Sequence, residues 1–191
     1  MAHKIILASN SPRRKELLSQ IGLVFDLAPA DVDESVLPGE APEPYAVRLA
    51  LAKAGAAAER AGEGIVIAAD TIVTVGGAIL GKPADNADAS RMLQALSGRE
   101  HQVVTALAVM DASTQRSIVR TSVTKVWFRE LSEREIAAYV ATGEPLDKAG
   151  AYGIQERGAL LVERIEGCYS NVVGLPLSLL GGMLREFGVL F

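Results

Sequence analysis

The stretch Ser9-Asn10-Ser11-Pro12-Arg13-Arg14 is built to meet an anion. Ser11 is a candidate helix N-cap and Pro12 suits the first helical position. A helix that starts there presents unpaired backbone N–H groups and a partial positive charge. Arg13 and Arg14 add forked donors that match phosphate oxygens, and Ser9 supplies a hydroxyl beside them. The chemistry is that of a polyphosphate cradle. A well-capped surface helix with solvated arginines would use the same residues.

Asp70 interrupts the most apolar run in the chain, Ile65-Val66-Ile67-Ala68-Ala69 followed by Ile72-Val73-Thr74-Val75. A carboxylate there holds a metal, acts as a base or is tied into backbone hydrogen bonds, because an unpaired buried charge costs too much. Thr71 beside it either donates its hydroxyl to a ligand or packs as a β-branched strand residue. Lys82, in Gly81-Lys82-Pro83, is a point charge on a stiff turn, suited to phosphate or simply exposed. Lys53 lies beside the apolar face of its expected helix, pointing into a cleft or snorkelling to solvent. Asp31, Asp33 and Glu34 form a carboxylate cluster that suits Mg²⁺ or Mn²⁺ bridging phosphates, or a solvated loop. Gln155, at the end of Asp147-Lys148-Ala149-Gly150-Ala151-Tyr152-Gly153-Ile154-Gln155, both donates and accepts. It can read a base edge or satisfy loop backbone.

Other chemistries lack their parts. No Walker A sequence is present, and no Gly-x-Gly-x-x-Gly follows a strand. The single cysteine, Cys168, permits no intramolecular disulfide and no cysteine-based zinc site. It reads as a small buried residue rather than a nucleophile, and it fits a reducing cytosol. His101 and His3 are the only histidines, which disfavours a histidine metal centre. Anion-binding Arg and Lys, carboxylates for a metal and no good nucleophile together make the kit for metal-assisted hydrolysis of a phosphoanhydride by water.

Elements must place these residues. At 191 residues, with 49% hydrophobic and 22% charged residues, the chain suits one compact domain or one domain with two lobes and a cleft. The net charge of −4 argues against a nucleic-acid surface, so positive charge for an anion must be local. No run reaches membrane-spanning length and the early apolar run is too short for a signal peptide. The pattern predicts a buried strand over 4–8, a helix over 12–21 ending at Gly22, and a short strand over 23–27. It then predicts a helix over 45–61 with Tyr45, Leu49, Ala52 and Ala56 on one face, and a central strand over 64–75. A helix over 85–96 and a hairpin of 101–110 with 117–128 follow. Ser132-Glu133-Arg134-Glu135 is a capping box opening a helix to about Thr142. A glycine-rich polar loop over 143–158, a strand over 159–165 and a final helix over 172–187 complete an α/β chain: a mixed twisted sheet with flanking helices.

On these motifs the chain resembles the Maf family of nucleoside triphosphate pyrophosphatases. The matching segments are Leu7 to Arg14, Asp31-Val32-Asp33-Glu34, Ala69-Asp70-Thr71, Gly81-Lys82-Pro83, Gly98 to Thr105, Gly143 to Gln155, and Ser170 to Pro176, in the family's order across nearly the whole chain. The resemblance implies cleavage between the α- and β-phosphates, a divalent cation, and two lobes around a central cleft in a fold similar to inosine triphosphatases. It implies that Asp70 is the general base or a metal-linked carboxylate and that Glu34 is a metal ligand. It further implies that Arg14, Lys53 and Lys82 hold the triphosphate, and it makes a homodimer plausible. Arg13, Thr71 and Gln155 match the branch that acts on dTTP and UTP, whereas the 7-methyl-GTP branch typically carries Trp where Arg13 stands. Other readings are a non-catalytic nucleotide sensor that restrains septum formation, and the 7-methyl-GTP branch itself.

Overall fold

The computed structural model describes residues 3–190. At the centre of its sheet lie aliphatic strands whose side chains are covered on both faces. Strand β1 (Ile5–Leu7) is wholly buried and pairs in parallel with β2 (Asp26–Leu27) and with the long β3 (Ile65–Val75). The β1–β3 register sets Ile5 opposite Ile65 and Leu7 opposite Ile67. Burying side chains such as Leu7 and Ile67 stabilises by about 1.5–3 kcal/mol each.

The full seven-stranded order is β2-β1-β3, then β5 (Glu100–Asp111), β6 (Ser117–Phe128) and β7 (Val162–Glu166), with β4 (Ala78–Leu80) antiparallel to the far end of β3. Gly76 and Gly77, both at positive φ, make the β3–β4 turn. Strands β5 and β6 close their hairpin with the Asp111 N–H donating to the Arg116 carbonyl at 2.9 Å. Strand β7 pairs antiparallel with β6. Parallel pairs near the chain start and antiparallel pairs later make the sheet mixed, as expected.

Two compact units are distinguishable. The first comprises 1–70, 105–122 and 174–191. Here helix α1 (Pro12–Gln20) buries Leu17 and Leu18, and helix α2 (Pro42–Ala61) buries Ala46, Leu49, Ala50, Ala54, Ala57 and Ala58. The alanine stripe lets α2 lie close to its neighbours. This corrects the expected face: Ala52 is exposed and Ala56 half-buried, because the stripe turns with the 3.6-residue period away from Tyr45. Helix α2 also starts three residues earlier than expected, at Pro42, where a missing N–H costs nothing.

The second unit comprises 71–104 and 123–173. Its core gathers Leu93 and Leu96 of helix α3 (Asn86–Leu96), Ile136 and Tyr139 of helix α4 (Glu133–Val140), and Phe128. The Ser132–Glu135 capping box forms as read from the sequence. The loop over 143–158 is not structureless: short 3₁₀ turns occupy Glu144–Asp147, Ala149–Ala151 and Glu156–Leu160. The expected final helix is two helices, α5 (Tyr169–Val173) and α6 (Leu177–Glu186). Gly174, at φ 121°, and Pro176, which lacks an N–H, break it.

Candidate active site

In the first unit the Lys53 ammonium joins two carboxylates. Its Nζ donates to Asp70 Oδ1 at 2.7 Å and lies 2.6 Å from Glu34 Oε1. The side chains of Lys53 and Asp70 are only 12% and 11% exposed, so this pair is largely withdrawn from water, whereas Glu34 is half exposed at 51%. Strand β3 fixes Asp70 in mid-strand, α2 carries Lys53, and the 31–40 loop brings in Glu34. Three residues far apart in sequence thus meet within hydrogen-bond distance of one nitrogen. The interruption of the apolar run at Asp70 is explained by this charge-assisted pairing.

The arginine segment forms beside it. Ser11 occupies the N-cap position, but its side chain makes no capping bond. The nearby hydroxyl in use is that of Ser9, which accepts from the Ser11 N–H at 3.1 Å and from Arg14 Nη1 at 3.3 Å. Arg14 Nε donates to the Gly174 carbonyl at 2.9 Å, a bond spanning 160 residues of sequence. The break between α5 and α6 therefore supplies the acceptor that orients this guanidinium. Burial pushes Arg14 down from its ordinary value and the adjacent Arg13 pushes the same way, while the charges of Asp70 and Glu34 oppose both. Ser9, Arg14, Glu34, Lys53 and Asp70 thus belong to one electrostatic group.

Residues that sequence reasoning passed over hold the acidic loop. The Tyr45 hydroxyl donates to the Glu34 carbonyl at 2.8 Å. Burial and the Asp70 and Glu34 charges push that hydroxyl above its usual range, so it remains a donor. Arg48 grips Glu40 with Nε and Nη2, both at 2.7 Å, and Nη2 also donates to the Ser35 carbonyl at 2.9 Å. Its guanidinium lies 5.5 Å from the Tyr45 ring centroid. Asp33 is engaged in a local turn: its Oδ1 accepts from the Ser35 N–H at 2.9 Å. The only sequence signal for these roles was an Arg and a Tyr on the helix that follows an acidic loop.

The second unit carries Thr71, Lys82 and Gln155. Lys82 is exposed, and Thr71 and Gln155 are half-buried. The Gly150 N–H donates to the Gly81 carbonyl at 3.0 Å, tying the Lys82 turn to the loop that leads to Gln155. That loop is internally braced. The Tyr139 hydroxyl and the Gly158 N–H donate to Glu144 Oε1 at 2.8 and 3.1 Å, and Lys148 Nζ donates to the Glu144 carbonyl at 2.7 Å. A cavity of about 500 Å³ opens among Thr142, Glu144, Lys148, Glu156 and Arg157. Behind the loop His101 Nε2 lies 2.8 Å from the Tyr152 hydroxyl, and burial pushes His101 down to about 4. Neutral at ordinary pH and enclosed by Phe128 and Tyr152, His101 packs and hydrogen-bonds in the core of this unit.

Among the described residues no group of three or more His, Cys, Asp or Glu side chains is placed to hold a metal. Glu34 and Asp70 are nonetheless a fitting donor set for a hard cation that takes one or two carboxylates from protein and its other oxygens from phosphate and water.

A mixed α/β sheet of this kind is shared, at the level of fold alone, with solved structures. A HAM1 protein from Coxiella burnetii matches with TM-score 0.56 at 20% identity, covering 97% of this chain and 100% of that one. The Staphylococcus aureus Ham1 protein matches with TM-score 0.53 at 20% identity, covering 96% and 99%. Sequence narrows this further. The model of the family described as Maf-like protein matches residues 4–187, and the chain belongs to that family. A dTTP/UTP pyrophosphatase from Syntrophomonas wolfei is 50% identical over 182 residues, 95% of this chain and 96% of that protein. Proteins of the same name from Geotalea uraniireducens and Geobacter metallireducens are 53% identical over 186 residues and 52% identical over 187. They cover 97% and 98% of this chain and 96% and 97% of their own lengths.

Proposed function

We propose that this protein is a dTTP/UTP pyrophosphatase, a hydrolase that converts these nucleotides to the monophosphate and pyrophosphate. The observation that carries the reading is the convergence of Glu34, Lys53 and Asp70 beside Arg14. The name shared by relatives of about 50% identity over nearly the full chain supports it. In the reaction a water oxygen attacks the α-phosphorus, the bond to the bridging α–β oxygen breaks, and pyrophosphate leaves. Asp70 orients that water and takes its proton. Arg13, Arg14 and Ser9 hold phosphate oxygens, and Lys53 moves its charge from the two carboxylates toward the triphosphate as it binds. The family resemblance gives Lys82 and Thr71 nucleotide-binding roles and gives Gln155 the pyrimidine edge. Glu34 and Asp70 would hold a Mg²⁺ or Mn²⁺ ion, which when bound offsets the charge gathering on the leaving pyrophosphate.

We read residues 1–191 as one Maf-type domain that works in the cytoplasm as a homodimer and extends its substrate range to modified pyrimidine triphosphates. One free cysteine suits a reducing compartment, and no helix among the described residues is long and apolar enough to cross a membrane. The test is pyrophosphate release from dTTP, UTP, CTP, GTP and 7-methyl-GTP, with Mg²⁺ or Mn²⁺ and with chelator. Metal-dependent turnover of dTTP and UTP above the others supports the reading. Preference for 7-methyl-GTP, or binding without turnover on every nucleotide, overturns it.

A further inference from the structure

Glu34 stands on an exposed loop with no regular secondary structure, yet its carboxylate meets Lys53 at 2.6 Å. Something must hold that loop, since an ion pair with a half-exposed carboxylate is weak on its own. Three side chains do so from two directions. The Tyr45 hydroxyl binds the Glu34 carbonyl, which fixes the backbone from which the carboxylate extends. Arg48 binds the next carbonyl, that of Ser35, and is itself held by both oxygens of Glu40. Glu40 Oε2 also accepts from the Leu37 N–H at 3.1 Å, so the loop is folded back on its own far end. Tyr45, Arg48 and Lys53 all belong to α2. One helix therefore holds the backbone of the loop and receives its carboxylate.

We propose that Tyr45 and Arg48, with Glu40 as the partner that orients Arg48, are positioning residues that set the Glu34 carboxylate in the active site. The inference rests on the role given to Glu34 above. Neither residue touches the reacting atoms; both act through the loop. Loosening the clamp lets Glu34 drift from Lys53 and Asp70, so the cation loses one of two protein oxygens while nucleotide contacts made by the arginines persist. A planar fork is needed to bind Glu40 twice and Ser35 once, so lysine cannot replace Arg48.

The experiment compares Tyr45→Phe, Arg48→Lys and Glu34→Gln with the unaltered protein. It reads Mn²⁺ binding by titration without nucleotide, steady-state kcat and KM for dTTP, thermal midpoint, and amide hydrogen exchange over residues 31–41. Tyr45→Phe removes one hydroxyl and keeps the ring that α2 buries. The expected result is Mn²⁺ binding weakened about tenfold in both clamp variants. With it come a similar fall in kcat, a dTTP KM changed less than twofold, faster exchange over 31–41 and a thermal midpoint near that of the unaltered protein. Unchanged Mn²⁺ binding and kcat in Tyr45→Phe and Arg48→Lys, beside a large loss in Glu34→Gln, overturns the clamp and leaves the role of Glu34 standing. Full activity and Mn²⁺ binding in Glu34→Gln overturns the role of Glu34 itself, and the clamp with it.

Discussion

Asp70 sits where chemistry and packing compete. A mid-strand carboxylate is tolerated because Lys53 meets it at 2.7 Å, and Asp70→Asn keeps the size of the side chain while removing its charge and basicity. We expect kcat to fall by about 10²- to 10⁴-fold, the range for loss of a general base, with dTTP still bound in calorimetric titration. His101 makes a different prediction at the same scale. Its value is held at about 4 in the fold, against 6.5 in the unfolded chain, so between those values the unfolded chain binds more protons. Stability from this group is full above about pH 6.5 and is lost as pH falls through about 4, by up to about 3 kcal/mol. Urea unfolding across that interval measures it, and His101→Gln, which keeps a polar partner for Tyr152 but does not titrate, should flatten the dependence.

At the scale of elements, the turn bearing Gln155 is packed too tightly for a single added methyl. A Cβ at Gly158 would lie 1.9 Å from the Gly153 carbonyl oxygen and 2.8 Å from the Tyr139 hydroxyl. The Tyr139 hydroxyl donates to Glu144 and accepts from the Gly153 N–H, so the backbone on either side of Gln155 would have to shift. Gly158→Ala should destabilise the protein by about 1–3 kcal/mol, as overpacking does, and raise the dTTP KM. Thermal unfolding and steady-state kinetics check the two parts. The break between α5 and α6 shows the converse, an interruption that serves the site: it exposes the Gly174 carbonyl that Arg14 uses.

For the whole molecule, the electrostatics predict how metal removal acts. Lys53 pairs with both Glu34 and Asp70, so we expect the fold to hold without a cation there. Chelator should abolish turnover while shifting the thermal midpoint of the nucleotide-free protein very little. Adding dTTP to Asp70→Asn, which binds without turning over, should raise the midpoint by mass action, the gain in stability being about 2.7 kcal/mol at a hundredfold excess over Kd. A large fall in midpoint with chelator alone would show instead that a metal is structural. With a net charge of −4, attraction for a polyphosphate has to come from local cations such as Arg13 and Arg14.

What could be read from the chain was local or periodic. The Ser132–Glu135 capping box needs only residues three apart, and the apolar run of β3 announces its own burial. Asp70 and the two arginines were legible as chemistry because each violates a local expectation, a charge in a strand or a doubled charge at a helix start. The single last helix expected over 172–187 is broken near its start, since Gly174 and Pro176 outweigh an otherwise helical pattern. The Glu34–Lys53–Asp70 convergence, the Arg14–Gly174 bond and the Tyr45–Arg48 hold on the acidic loop lie beyond local pattern. Each joins groups whose separation in sequence carries no period. Their meeting depends on strand register and on the angle at which α2 crosses the sheet, and those are set by packing of the entire aliphatic core rather than by any one segment.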